Sequence, residues 1–208
     1  MIRTALACLA IALGGYASAA WVTHGFQVWT AEGARRLEVA LDPVAAPPVR
    51  VESPSLAAGP LPQLLAGGGT VTIVDFFYTR CETVCLSLGS TFQQFQAALR
   101  ADPFASGVKL LSVSFDPRDS TADLRAYAAR MQADPAYWRF ARGADAQQTA
   151  KLLSAFQVTV VPAGHGDFEH NAALLVVDQR GRLVRVFDIA EQQLALDYAR
   201  HLASGGRT

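Results

Sequence analysis

The chain begins with its longest uncharged stretch. Residues 4–22 (TALACLAIALGGYASAAWV) contain no charged side chain and are mostly Ala, Leu, Ile and Gly. As a helix this stretch would be about 28 Å long, close to the thickness of the hydrocarbon core of a bilayer. The pattern predicts a membrane segment over residues 1–26. Two alternatives are open: an uncleaved anchor, which we favour, and a secretory signal that is cleaved near Ala19.

Both alternatives predict the same topology. Arg3 and the amino terminus keep the start of the segment in the cytoplasm, so everything after about residue 23 is exported. We expect the protein at the cell inner membrane with a single N-terminal span and its domain on the periplasmic side, or free in the periplasm after cleavage. Cys8 is then either in lipid or removed, which leaves Cys81 and Cys85 in the exported domain.

Beyond the apolar segment, the pattern is first weak and then strong. Residues 27–48 contain one short helical pattern at 30–41 that prolines terminate, and we interpret them as a membrane-proximal lead-in. Residues 49–208 form the predicted domain. Its predicted strands are residues 49–52, 71–78, 108–115, 138–140, 172–177 and 182–187, and its predicted helices are residues 86–99, 120–131, 145–156 and 191–202.

Two local patterns define this domain most clearly. Residues 71–78 (VTIVDFFY) are almost continuously apolar, β-branched or aromatic, which is typical of a strand buried on both faces of a mainly parallel sheet. Residues 178–181 predict a tight hairpin turn with Gly181 where a positive φ is needed. The alternation of strands and helices predicts an α/β fold: a thioredoxin-like central β-sheet flanked by helices, preceded by the membrane segment.

The charge balance and the cysteine count exclude two classes of protein. The chain has 18 Lys+Arg against 18 Asp+Glu, so a nucleic-acid binder that depends on a basic surface is excluded. Three cysteines in 208 residues are too few for a disulfide scaffold.

The remaining cysteine pair has a position suited to chemistry. Cys81 and Cys85 directly follow the first buried strand, and an i, i+4 spacing places two side chains on one face of a helix. Ligand sites of open α/β sheets gather at this end of a central strand, and the positive end of a helix favours the thiolate. A thiolate either binds soft metals or attacks disulfides. A purely structural disulfide is disfavoured because so short a loop gains little from cross-linking.

Two histidines lie where they could complete a metal site. His165 and His170 share a predicted loop at residues 161–171, which this topology brings next to the cysteines. His170 adjoins the following strand and should be the better fixed. Two thiolates and one imidazole suit Cu(I) and are usable for Cu(II). A structural zinc site normally has four ligands.

Four segments in order resemble the Sco/SenC family of copper-binding, thioredoxin-fold proteins that assist assembly of the CuA centre of cytochrome c oxidase. They lie within about residues 71–190 and read VDFFYTRCETVC, LLSVSFDPRDSTADLRAYA, YWRFARGADAQQTAKLLSAFQV and EHNAALLVVDQRGRLVRVF. The histidine stands eleven residues before the hairpin glycine, as in the family, which selects His170 over His165.

The resemblance implies a copper chaperone rather than an enzyme. Cys81, Cys85 and His170 would hold one copper ion, Cu(I) or Cu(II), for delivery to the CuA site of oxidase subunit II or to another exported metalloprotein. Asp116 matches a family position near the site and could orient a ligand or partner. Glu82 stands where the family commonly has proline, and its carboxylate could shift metal preference or redox potential.

The alternative function is that of a thiol-disulfide oxidoreductase. Cys81 and Cys85 would cycle between dithiol and disulfide to reduce an apo-metal site or another exported protein. Thioredoxin-type reductases place a cis-proline directly before the strand that follows their active-site loop. Here His170-Asn171 hold that place and Pro162 is eight residues too early, which favours metal binding.

Overall fold

The computed structural model describes residues 2–66, 69–81, 84–102 and 107–206. Its helices are α1 (Ile2–Val22), α2 (Ala31–Leu41), α3 (Leu61–Ala66), α4 (Val84–Ala101), α5 (Thr121–Arg130), α6 (Ala146–Ala155) and α7 (Gln192–Ala203). Its strands are β1 (Val44–Ala45), β2 (Arg50–Glu52), β3 (Gly59–Pro60), β4 (Val71–Phe77), β5 (Val108–Ser114), β6 (Trp138–Gly143), β7 (Val160–Gly164), β8 (Asp167–His170), β9 (Leu174–Val177) and β10 (Arg182–Phe187).

Eight of the strands form one mixed sheet in the order β1-β10-β9-β4-β5-β6-β2-β3. Strands β4, β5 and β6 are parallel, while β9 is antiparallel to β4 and β10 is antiparallel to β9. Strand β10 therefore runs in the same direction as β4. The edge at which β4, β5 and β10 end, at Phe77, Ser114 and Phe187, is called the carboxyl edge below.

Helices cover the central strand on both faces. All seven residues of β4 are buried, as its sequence predicted. Because neighbouring residues of a strand point to opposite faces, Phe77 packs against Tyr127 of α5 whereas Phe76 packs against Phe156 at the end of α6. The predicted α/β fold, with a thioredoxin-like sheet flanked by helices, is confirmed.

The helix cap of α5 and the turn between β9 and β10 form as the sequence predicts. Ser120 accepts a hydrogen bond from the Asp123 amide, and the Asp123 side chain accepts one from the Ser120 amide, a capping box that starts α5. Gly181, with φ of +74°, closes the predicted hairpin turn between β9 and β10.

The segment predicted as a loop before the last strand pair is instead a β-hairpin. Strands β7 and β8 form a two-stranded sheet of their own, called the histidine hairpin below. Its turn is made by Gly164, His165 and Gly166, with φ values of +88°, +51° and +87°. The hairpin escapes sequence-based prediction because most of its residues are exposed and lack an alternating apolar pattern.

The lead-in also contributes to the fold. The predicted short helix is α2, and it packs along β10 with Val39 fully buried. Strand β1 then pairs with β10 through Val44 and Leu183. Sequence patterns missed the short elements β1, β3 and α3, which are too short to show a periodicity.

The N-terminal helix α1 is 21 residues long, has a mean hydropathy of 1.7 and contains no buried residue. Its length and composition suffice to cross a membrane, although a signal sequence has the same properties. Both alternatives for this segment therefore stay open.

Candidate metal centre

Cys81 lies in a short connection between β4 and α4, at the carboxyl edge. Its side chain is buried. Helix α4 begins at Val84, three residues after Cys81, so only Cys85 belongs to the helix. The helix thus begins between the two cysteines, in keeping with the helix predicted at residues 86–99, and Cys81 precedes it. The side chain of Cys85 and the whole of Glu82 lie outside the described residues.

His170 ends the histidine hairpin and lies against the same edge of the sheet. Its Nε2 is 3.0 Å from the carbonyl oxygen of Phe76, and its ring packs against Phe115 with centroids 5.1 Å apart. A carbonyl only accepts hydrogen bonds, so Nε2 carries the proton and Nδ1 keeps its lone pair. Burial lowers the pKa of His170, which keeps the ring neutral at pH 7.

Cys81 interacts electrostatically with both His170 and Tyr78. The charge of a Cys81 thiolate acts on both neighbouring groups and opposes their loss of a proton. Burial, with this added effect of Cys81, raises the pKa of Tyr78 to about 12. The Tyr78 hydroxyl also accepts a hydrogen bond from the Phe168 amide at 3.4 Å. Tyr78 thus links the cysteine connection to the histidine hairpin.

The connection that carries Cys81 is fixed by a buried carboxylate. Asp119 is fully buried and accepts hydrogen bonds from the Thr79 amide at 2.9 Å and the Thr79 hydroxyl at 2.6 Å. Its second interaction partner is the Ser114 hydroxyl at the end of β5, at 2.6 Å. Asp119 therefore holds the backbone two residues before Cys81 against the neighbouring strand.

Asp116 joins the two sides of the site. Its carboxylate accepts hydrogen bonds from Arg80 at 2.6 Å and from Arg118 at 2.8 Å. Burial alone would raise the pKa of Asp116, but the hydrogen bonds from Arg118 and Arg80 outweigh it and lower the pKa below its usual value. Asp116 is consequently ionised and holds an arginine that adjoins Cys81 in the chain.

Arg118 carries this connection on to the histidine hairpin. Its guanidinium donates to the carbonyl of Gly166 and lies over the ring of Phe168, 5.5 Å from the centroid. Gly166 has φ of +87°, which favours glycine, and a Cβ there would come within 2.6 Å of the Arg118 Nη1, so that the arginine would have to shift. Arg118 thus positions the strand that ends at His170.

The structure separates the two candidate histidines. His165 is exposed at the tip of the hairpin, whereas His170 lies at its base against Phe76. Among the side chains that the structure describes, no group of three or more His, Cys, Asp or Glu residues is close enough to hold a metal ion. The described donors that fit copper are the Cys81 sulfur and His170 Nδ1, both soft or borderline ligands.

Sequence reasoning missed three residues of this site: Tyr78, Arg118 and Phe168. Arg118 stands two residues after Asp116 in the second of the four family-like segments (DPRD, residues 116–119), so that segment contained the signal. Phe168 stands two residues before His170, on the same side of a strand that was not predicted. Nothing in the sequence indicates that these aromatic and cationic side chains meet.

Comparisons with known proteins identify the family of this chain. The SCO1/SenC family model matches residues 66–203. The SCO1 protein homolog of Bacillus subtilis is 26% identical over 126 residues, which are 59% of this chain and 64% of that protein. The match thus spans less than two thirds of the relative's length.

Two solved structures are similar over most of the domain. Bradyrhizobium japonicum ScoI with copper bound is 25% identical, with a TM-score of 0.62 over 76% of this chain and 99% of that one. The structure of BsSco, described as a member of the Sco family of cytochrome c oxidase assembly proteins, is 20% identical, with a TM-score of 0.66 over 78% of this chain and 95% of that one. The family match covers more than half of the 208 residues. The chain therefore belongs to the SCO1/SenC family, as its four sequence segments predicted.

Proposed function

We propose that this protein is an exported, membrane-tethered copper chaperone. It holds one copper ion on Cys81, Cys85 and His170 and delivers the ion to the CuA site of cytochrome c oxidase subunit II, or to a similar exported site. The observation that carries the proposal is the neutral His170 ring, whose Nε2 is fixed by the Phe76 carbonyl while its other nitrogen remains available beside Cys81. A histidine ligand is commonly oriented in this way by a hydrogen bond from its second nitrogen.

The donor set suits transport better than permanent storage. Two thiolates and one imidazole favour Cu(I) and leave coordination positions open, so an acceptor ligand can bind before the donor releases the ion. His170 lies at the base of a hairpin that is not part of the main sheet. His170 can therefore move away from the copper ion without disruption of the buried strands.

Asp116 contributes by fixing both sides of the site. It is bonded to Arg80, next to Cys81, and to Arg118, which contacts the histidine hairpin. This role follows the sequence expectation that Asp116 orients a ligand. Asp116 is a positioning residue here, because its carboxylate is already occupied by two guanidinium groups.

The ligand set is tested by Cu(I) titration of the reduced full chain under anaerobic conditions, with a chromophoric competitor. His170→Ala should weaken binding by more than about 100-fold, because loss of a ligand costs more than loss of the outer partner that orients it. His165→Asn is the matched control. It changes a histidine of the same hairpin, and asparagine tolerates the positive φ at that position.

Equal Cu(I) affinity in the His170→Ala protein and the parent would disprove the three-ligand site. Circular dichroism and thermal melting establish whether the variant remains folded, and His170→Asn provides a second variant that retains a polar side chain. Weak copper binding by the parent, together with a reduction potential in the range of dedicated reductases, would support the oxidoreductase instead.

Delivery is tested separately with a copper-free fragment of an oxidase subunit II. Two equivalents of the Cu(I)-loaded chaperone, followed by a mild one-electron oxidant, should generate the mixed-valence absorption bands of CuA in the reduced fragment, and the His170→Ala protein should not. Transfer that is equally fast from a simple copper complex would contradict a specific chaperone role.

A further inference from the structure

Helix α2 is anchored to the domain at the carboxyl edge by a buried arginine. Arg35 donates to the carbonyl oxygen of Phe156 at 2.9 Å. The ring of Phe156 packs against Phe76, with centroids 5.7 Å apart, and the Phe76 carbonyl faces His170. Phe156 and Phe76 therefore connect Arg35, in the second turn of α2, to the candidate metal ligand His170.

A second arginine confirms which end of α2 lies at this edge. Arg36 forms ion pairs with Glu191 at 3.0 Å and Asp188 at 3.6 Å. Both acidic residues directly follow the end of β10 at Phe187. Farther along the chain, Val44 pairs with Leu183 in the first half of β10. Helix α2 thus begins at the carboxyl edge and runs away from it.

The connection from α1 to α2 is short and folded back. Residues 23–29 could span at most about 25 Å if fully extended. They form instead a turn in which His24, Gly25 and Phe26 have φ of +48°, +72° and +66°. The Gly25 amide donates to the carbonyl of Ala20 in α1 at 2.7 Å. The chain therefore leaves the apolar helix and enters the domain within a short distance.

The end of α1 can lie near only one of the two edges of the sheet, because the edges are far apart. Strand β4 has seven residues, which at about 3.3 Å each make the sheet about 23 Å long between its edges. Because α2 begins at the carboxyl edge, the end of α1 lies nearest that edge.

Exposed aromatic rings surround this connection. Trp21 and Trp29 are 83% and 74% exposed. Phe26 packs between Tyr16 and Trp29, with ring centroids at 5.3 and 5.9 Å. Tryptophan and tyrosine are enriched where a membrane-spanning segment meets the lipid headgroups, because their rings are apolar and their polar atoms can reach water.

We infer that residues 23–41, called the strap below, hold the domain with its carboxyl edge, and thus the candidate metal centre, facing the membrane. In this arrangement Trp21, Phe26 and Trp29 lie in the lipid headgroup layer. The inference rests on the proposed function in taking α1 as a membrane anchor. It adds that the domain has a fixed orientation, so its copper acceptor must present its own site close to the membrane surface.

The orientation can be measured by NMR on the full chain reconstituted in phosphatidylcholine nanodiscs that contain a lipid with a gadolinium-chelate headgroup. Relaxation by gadolinium falls with the sixth power of distance. The amides of residues 164–166 and 189–191, at the carboxyl edge, should lose most of their signal intensity. The amides of residues 178–181, at the opposite edge, should keep most of theirs.

Variants of the strap separate the orientation from the membrane attachment. The double variant Arg35→Ala/Arg36→Ala should still float with phosphatidylcholine vesicles, but the difference in signal loss between the two edges should shrink. Arg36→Ala alone is the milder variant, because its ion pairs lie on the surface. The matched control is Arg125→Ala, which removes an exposed arginine from α5, far along the chain from the strap.

The possible failures are distinguishable. Uniform signal loss in a parent protein that floats with vesicles would overturn the fixed orientation and leave the copper-binding proposal intact. Stronger loss at residues 178–181 would overturn the assignment of the membrane-facing edge. A parent protein that does not float would overturn the membrane tether itself, whereas the copper titration still tests the metal site.

Discussion

The two sides of the candidate metal centre are built in different ways. On one side, the connection that carries Cys81 is held by Asp119, a buried carboxylate that accepts three hydrogen bonds from Thr79 and Ser114. On the other side, the histidine hairpin forms a separate two-stranded sheet with mostly exposed residues. Arg118 and the half-buried ring of Phe168 attach it to the rest of the domain.

The difference indicates that the chain leading to Cys81 is held more firmly at Thr79 than the histidine hairpin is held against the domain. Charge-assisted hydrogen bonds inside a protein are strong because no water competes for them. The histidine hairpin is held by the rings of Phe168 and His170, by hydrogen bonds to Tyr78 and Phe76, and by the half-exposed Arg118. Because most of its residues are exposed, we expect it to have a lower free energy of local opening. In the proposed copper chaperone this division would serve transfer, since the histidine could be withdrawn while the cysteines keep the ion. Strand β4 supports both sides, through Cys81 and through the Phe76 carbonyl.

The largest expected effect is on the free energy of unfolding and comes from Asp75. This residue belongs to β4, the strand that supports both sides of the site. Asp75 faces Ser112 of β5, and within the described residues its Oδ1 has no hydrogen-bond partner. Burial raises the pKa of Asp75 to about 7. Between about pH 4 and pH 7 the folded protein therefore keeps a proton on Asp75 that the unfolded chain has released. The free energy of unfolding consequently falls as the pH rises from about 4 to about 7. The loss is at most about 4 kcal/mol.

This pH dependence is measured by urea unfolding at pH 5 and pH 8. The parent should be less stable at pH 8, and Asp75→Asn should remove most of that difference because the amide does not ionise. The two proteins differ only at this side chain, so the comparison isolates Asp75. The same pH dependence in both proteins would show that Asp75 does not titrate in this range.

Asp119→Ala tests the rigidity of the cysteine side. It would leave the Thr79 amide, the Thr79 hydroxyl and the Ser114 hydroxyl without their buried acceptor, at a cost of about 3 kcal/mol in the free energy of unfolding. Asp134→Ala is the matched control, because Asp134 is a more exposed carboxylate bonded to Arg100 and the Ala136 amide. Equal losses in urea unfolding would mean that burial adds nothing to the role of Asp119.

Arg118→Met tests whether the histidine side moves independently. We expect faster hydrogen exchange in the histidine hairpin and about tenfold weaker Cu(I) binding, comparable to loss of an outer partner of a metal ligand. Exchange in β4 and β5 should not change. Arg118→Lys should rescue only part of the affinity because lysine lacks the planar fork that spans Asp116 and Gly166. Arg125→Met is the control, and unchanged hairpin exchange would contradict the role of Arg118.

The smallest expected effect is that of Phe168→Leu. The Phe168 ring contacts Tyr78 and Phe115 at centroid distances of 5.3 and 5.6 Å. A smaller side chain should cost about 1 kcal/mol, mostly as easier hairpin opening seen by hydrogen exchange. Val161→Ala, at an exposed position of the same hairpin, should be nearly neutral. A comparable effect of the two substitutions would argue against an aromatic attachment.

Much of the main sheet was predictable because its signals are local. The apolar run in β4, the capping residue Ser120 and the turn glycine Gly181 each act within a few residues, so the sequence displays them directly. The location of the cysteine pair after β4 and the choice of His170 over His165 were also available, the first from the pattern and the second from the family resemblance.

The sequence by itself thus determined the class of fold, the strand that supports the site and the residue types that suit copper. Only the tertiary structure decided that the histidine segment is a hairpin, that Arg118 contacts Gly166, and that α2 starts at the carboxyl edge. The physical reason is separation along the chain. Arg118 and Gly166 lie 48 residues apart, and Arg35 and Phe156 lie 121 apart. Their hydrogen bonds depend on how the strands are ordered in the sheet, and no local pattern encodes that order.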